Sequence, residues 1–106
     1  MDIENLRLSA ADFHQHLKAR MLQRGVTIEE VERTLMHGWQ AKDAKTGTEG
    51  RTFVFEYLRE WEGKDFAEEE VTVYYKSVGS KLVLLTVKAR YGKKFLRGGD
   101  QGANRI

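Results

Sequence analysis

Cysteine and proline are both missing from this 106-residue chain. Without cysteine there is no disulfide scaffold, no thiolate-held zinc or iron–sulfur centre, and no thiol nucleophile. Without proline there is no cis-proline turn and no proline-rich recognition segment. Long apolar runs are lacking as well. No stretch approaches the roughly 18 residues of a membrane span, and the opening MDIENLRLSA lacks the form of a secretory signal. The expected setting is cytoplasmic, with no membrane partner. The sequence has no G-x-G-x-x-G, Walker A, G-x-S-x-G or H-E-x-x-H pattern, which removes the usual support for dinucleotide binding, serine hydrolysis and zinc proteolysis. His14 and His16 are two apart and point to different faces of a helix, and His37 lies elsewhere. Neither a metal site nor a cofactor is expected.

What is present suits one globular domain: 41% hydrophobic and 32% charged residues, without low-complexity stretches or repeats. The net charge is only +2, but it is unevenly spread. From Lys81 to Ile106 seven basic residues face one acid, and the rest of the chain is net acidic. A basic end fits nucleic acid or another anionic partner, and it fits equally a solvated last strand and tail.

The hydrophobic period changes from helical to alternating along the chain. Ser9–Gln23 reads as a helix with Ser9 as N-cap, an apolar stripe of Ala10, Phe13, Leu17 and Met21, and Gly25 as the stop. Thr27-Ile28-Glu29-Glu30 is a capping box, with Val26 and Val31 placed as a staple. It opens a second helix that presents Ile28, Val31 and Leu35 and ends at Gly38. The expected strands are a short one over Trp39–Asp43, then Arg51–Trp61, Glu69–Ser77 and Lys81–Tyr91. Loops are expected at Ala44–Gly50 and Glu62–Ala67, and a turn at Val78–Ser80. The fold class is α+β: two N-terminal helices packed on a three- to four-stranded antiparallel meander. The expected division is an N-terminal arm over 1–8, one domain over 9–91 and a basic flexible tail over 92–106.

In the last hairpin, a register pairing Tyr75 with Val83, Val73 with Leu85 and Val71 with Val87 gathers the apolar residues under the helices. The other face then carries Thr72, Tyr74 and Lys76 beside Leu84, Thr86, Lys88 and Arg90. Glu70 falls near Lys88, and Glu68 near Arg90. Hydroxyls, a tyrosine and cations on one face suit a phosphate-containing ligand, and equally a solvated sheet side with surface ion pairs. On the first helix His16, Arg20 and Arg24 recur every four residues and flank the apolar stripe. Guanidiniums there must meet carboxylates, such as Glu30 or Glu56, or a ligand anion.

The run H16-L-K-A-R20-M21-L-Q-R24-G25-V26-T-I-E-E30-V31 resembles the opening of the family called domain of unknown function 4258, whose pattern is H-x3-R-M-x2-R-G-I before a capped acidic helix. Val26 replaces the isoleucine. The V71-T-V-Y-Y and L82-V-L-L-T-V strands resemble that family's closing hairpin. Its helix–helix–meander order is similar to the RelE/ParE-like group of toxins, several of which cleave RNA without metal. The resemblance implies a metal-independent endoribonuclease of a toxin–antitoxin pair. His16 would be its base or acid, Tyr74 a second proton-transfer group, and Arg20 and Arg24 phosphate holders. Lys88, Arg90, Lys93 and Lys94 would also bind RNA phosphate, and a cognate antitoxin or acidic protein would cover them. Two other readings remain: a non-catalytic RNA- or protein-binding module on the same face, and a homodimer joined through Phe53, Phe55, Tyr57 and Trp61.

Overall fold

The computed structural model describes residues 13–98. The expected arm over 1–8, Ser9, Ala10 and the tail beyond Gly98 lie outside the described residues. The elements are α1 (Gln15–Arg24), α2 (Ile28–His37), β1 (Trp39–Gln40), β2 (Glu49–Trp61), β3 (Lys64–Val78) and β4 (Lys81–Gly92). The four strands form an antiparallel sheet in the order β1-β2-β3-β4. The α+β class and the helix–helix–meander order stand as expected. Among the described residues no helix is long and apolar enough to cross a membrane.

The helix expected from Ser9 starts later, because His14 is extended and is the N-cap of α1. Its Nδ1 accepts from the Leu17 N–H at 3.2 Å, which leaves the proton on Nε2, 3.1 Å from the Leu84 carbonyl that accepts it. One imidazole thus starts the helix and ties it to β4. His14→Ala should cost about 1–2 kcal/mol, read as a lower urea midpoint at unchanged m-value. A change smaller than a few tenths would show the tie to be idle. The capping box of α2 is present in full, with Thr27 Oγ1 accepting from Glu30 N–H and Glu30 Oε1 from Thr27 N–H. Arg51 Nη1 donates to the Leu35 carbonyl at 3.2 Å near the C-terminal end of α2.

The helices cover one face of the sheet. Phe13, Leu17, Met21, Val26, Val31 and Leu35 pack on Val71, Val73, Tyr75, Leu84 and Val87. Three sequence readings change here. First, the expected Glu62–Ala67 loop shrinks to two residues. Glu62 (φ 51°) and Gly63 (φ 86°) both take left-handed backbone, the geometry of a two-residue hairpin turn, and β3 resumes at Lys64. Second, Ile28 is exposed at the start of α2, while Thr34 takes a buried place.

Third, the hairpin register is displaced. Val71 pairs with Ala89 and Val73 with Val87, whereas Tyr75 pairs with Leu84. Leu85 has no counterpart and forms a bulge. A bulge reverses which residues face which side, so Leu82 and Leu84 join the core in place of Val83 and Leu85. On the other side Glu70 stands opposite Arg90, and Thr72 opposite Lys88.

Candidate functional site

The sheet face turned away from the helices carries Thr52 on β2, Glu70, Thr72 and Tyr74 on β3, and Thr86, Lys88 and Arg90 on β4. Strand alternation sets this, because each flanks a residue of the core face. Thr52 and Thr72, paired across the strands, share a hydrogen bond between their hydroxyls at 2.9 Å and are buried. They form the floor of a hollow of about 440 Å³, whose lining includes Trp39, Asp43, Glu70, Lys88, Arg90 and Leu96.

Asp43 reaches this face because β1 pairs for only two residues. The chain then turns across the sheet, held by Ala41 N–H donating to the Gly50 carbonyl at 2.8 Å. Glycine at 50 is what admits this crossing. A Cβ there would sit 2.9 Å from Ala41 Cβ and 3.1 Å from Tyr74 Cδ1. Asp43 accepts from the Tyr74 hydroxyl at 2.8 Å and from Lys88 Nζ at 2.5 Å. Lys88 Nζ lies 5.7 Å from the Tyr74 ring centroid. Arg90 donates to Glu70 at 2.8 Å and stacks 4.9 Å from the Phe95 centroid.

These contacts set the charges. The hydrogen bond from Lys88, then that from Tyr74, holds the Asp43 carboxyl below the usual carboxylate range. Burial pushes the Tyr74 phenol up. The bond to Asp43 raises the Lys88 ammonium further. All three move away from neutrality, so near pH 7 the cluster holds a fixed carboxylate, a neutral phenol and a fixed ammonium.

The chain after β4 also lies on this face. Phe95 N–H donates to Glu68 Oε1 at 2.9 Å, Arg97 pairs with Glu68 Oε2 at 3.0 Å, and Gly98 rests against the Trp39 ring. Lys93 and Lys94 stand exposed just before it. The backbone bond from Phe95 is the main reason the Glu68 carboxyl lies below its ordinary range.

Of the residues singled out in the sequence, Tyr74, Lys88 and Arg90 share this face. His16, Arg20 and Arg24 do not line it: they belong to α1, whose Leu17 and Met21 pack on the opposite side of the sheet. The His16 ring stacks on His14, 6.2 Å between centroids. Neither the Arg20 nor the Arg24 side chain pairs with an acid among the described residues. Among the described residues no group of three or more potential metal-ligating side chains is placed to hold an ion.

A second cluster was not singled out. Glu69 is fully buried on the core face, between Val71 of its own strand and Tyr91 of β4. Tyr91 stacks on Trp61 at 5.2 Å and meets Tyr57 and Phe66. Its hydroxyl donates to the Arg24 carbonyl and lies 3.1 Å from Glu69 Oε2. Glu69 Oε1 has no hydrogen-bond partner. Burial, followed by the facing Glu30 carboxylate, pushes the Glu69 carboxyl up to about 9. Burial and then the Glu69 charge also push the Tyr91 phenol up. Glu69 is therefore a neutral acid at pH 7, and its proton, carried on Oε2, can be donated to the Tyr91 hydroxyl oxygen, which gives its own to the Arg24 carbonyl. The sequence carried the signal: Glu69, Val71, Val73 and Tyr75 share one strand parity.

No known protein family, curated protein or solved structure matches this chain.

Proposed function

We propose that this chain is a small RNA-binding module of RelE-like build, related to the domain of unknown function 4258 family, that holds the phosphate backbone on the open face of its sheet. The observation that carries the reading is that Lys88 and Arg90 line one hydroxyl-floored hollow, with Tyr74 beside it on the same face and tied to Lys88 through Asp43. Phosphate oxygens would replace the carboxylates of Asp43 and Glu70 as partners of the two cations. Both pairs are partly exposed, so such an exchange costs little. Lys93 and Lys94 extend the positive field beyond the hollow. An acidic protein that covered the face, such as an antitoxin, would compete with RNA for the same cations.

A cleaving version, the metal-independent endoribonuclease implied by the resemblance, would have to run on Tyr74, Asp43 and Lys88, because His16, Arg20 and Arg24 stand on the helical layer. A general base works best with a pKa near the working pH. Asp43 is held too low for that, while Tyr74 and Lys88 are held too high. Binding needs no such group, and the geometry therefore favours binding over cleavage.

The test is fluorescence anisotropy with a single-stranded RNA oligomer over a salt series. Removing two phosphate contacts, Lys88→Ala with Arg90→Ala should weaken binding about 10- to 100-fold and lower the salt slope by about 2. Arg20→Ala with Arg24→Ala should leave both unchanged. Absent binding, or equal loss from the α1 pair, overturns the reading. RNA cleavage by the parent that Tyr74→Phe abolishes would restore the nuclease.

A further inference from the structure

The open face has a second hollow next to the first. It encloses about 410 Å³ and is lined by Asp43, Lys45, Thr48, Tyr74, Leu85 and Thr86. Asp43 belongs to both hollows, and Lys88 and Tyr74, joined through Asp43, stand one on each side. Their linings differ. The first holds the paired cations Lys88 and Arg90 over the Thr52–Thr72 floor, with Trp39 and Leu96 at its wall; the second sets the Tyr74 ring and Leu85 among Asp43, Lys45 and two threonine hydroxyls.

We infer that the two hollows together take one nucleotide of a single strand, with the phosphate at Lys88 and Arg90 and its unstacked base against Tyr74 and Leu85. This rests on the RNA-binding reading and adds to it a demand for the base.

Three features make the second hollow a fitting receptor for a base. The bulge in β4 turns Leu85 out of the core and onto this face, so an apolar side chain sits where plain alternation would not have put it. Tyr74 is fixed before any ligand arrives: its hydroxyl is held by Asp43 at 2.8 Å, and its ring lies close over Gly50. A ring that needs no ordering keeps more of its contact energy as affinity. The far wall is also set, because Thr48 donates to the Lys45 carbonyl through both its backbone N–H, at 2.9 Å, and its hydroxyl, at 2.6 Å. Asp43 and the Thr86 and Thr48 hydroxyls then offer acceptors and donors to a base edge. In duplex RNA the bases are stacked and paired, so only a single strand presents one in this way.

The experiment compares four probes by anisotropy and competition: a single-stranded RNA oligomer, an abasic ribose–phosphate oligomer of equal length, the RNA duplex, and a nucleoside monophosphate against ribose 5-phosphate. The single strand should bind about 10-fold or more tighter than the abasic oligomer, in line with base–aromatic stacking. The nucleotide should compete better than the sugar phosphate. Leu85→Ala should remove that preference and leave abasic binding unchanged, whereas Lys88→Ala should weaken both oligomers. Leu85→Met, which keeps apolar bulk, should retain the preference, and unchanged thermal melting confirms that each variant folds. Equal affinity for abasic and base-bearing strands, or a duplex bound as tightly as the single strand, overturns the base site while the phosphate reading stands. If none of the probes binds, the underlying reading fails with it.

Discussion

At pH 8, Glu69→Gln should melt roughly 10–20 °C above the parent, and the two should converge as the pH falls toward 4.5. In the folded chain the Glu69 carboxyl stays protonated up to about 9, whereas in the unfolded chain it ionises at the ordinary carboxylate pKa. Folding therefore takes up a proton over the interval between the two. The stability tied to this group is complete below the unfolded pKa and is lost as the pH rises through the folded one. The loss approaches ~1.4 kcal/mol per pH unit, on the order of several kcal/mol in all. Glutamine needs no proton. Its amide N–H can donate to the Tyr91 hydroxyl oxygen, which gives its own proton to the Arg24 carbonyl. Urea midpoints taken from pH 5 to pH 9 check this. If the parent shows no decline, or Glu69→Gln declines in parallel, the buried acid is not protonated.

Gly25→Val should lose about 3–5 kcal/mol by urea unfolding, for two separable reasons. Gly25 ends α1 with φ 74°, a left-handed conformation that costs an L side chain roughly 1–2 kcal/mol and a β-branched one more. A Cβ there would also lie 2.6 Å from the Trp61 ring and 2.8 Å from Tyr91 Oη, so the Trp61–Tyr91 stack must part. In the Trp61→Ala background the clash with the indole disappears while the Tyr91 Oη contact and the backbone term remain, so the valine should then cost less, about 2–3 kcal/mol. Because that stack helps enclose Glu69, the displaced ring should also flatten the decline of stability with pH. A loss below about 1 kcal/mol for the single substitution would falsify the account of this corner.

Both predictions come from the end of the molecule where the sequence was most legible and least fully used. The Thr27 capping box, the glycine stops at Gly25 and Gly38, the helical stripe of Phe13 to Met21 and the strand parity of Val71 to Tyr75 are local, and local chemistry reads directly from neighbouring residues. Glu69 was legible by the same parity. A carboxylate in line with Val71 and Val73 must be buried, and so neutral or paired. What could not be read was whatever depends on distant segments meeting. The hairpin register rests on one extra residue at Leu85, and nothing in an alternating run marks where a bulge falls. Asp43 reaches Lys88 only because β1 stops after Gln40 and Gly50 lets the chain cross. His16, Arg20 and Arg24 flank the apolar stripe as their spacing says, but spacing on a helix does not reveal which side of the sheet that helix will cover.

The unmatched residue in β4 divides the closing hairpin into two independently variable lengths. Toward the 79–80 turn Leu82 and Leu84 face the core, and toward Gly92 Lys88 and Arg90 face the open side. Deleting Leu85 would leave Leu84 beside Thr86 in a regular ladder, with Leu84 still opposite Tyr75, so inner and outer residues keep their sides over 81–84. A deletion of one codon here should therefore be better tolerated than a deletion elsewhere in the same strand, which would turn every residue beyond it to the other face.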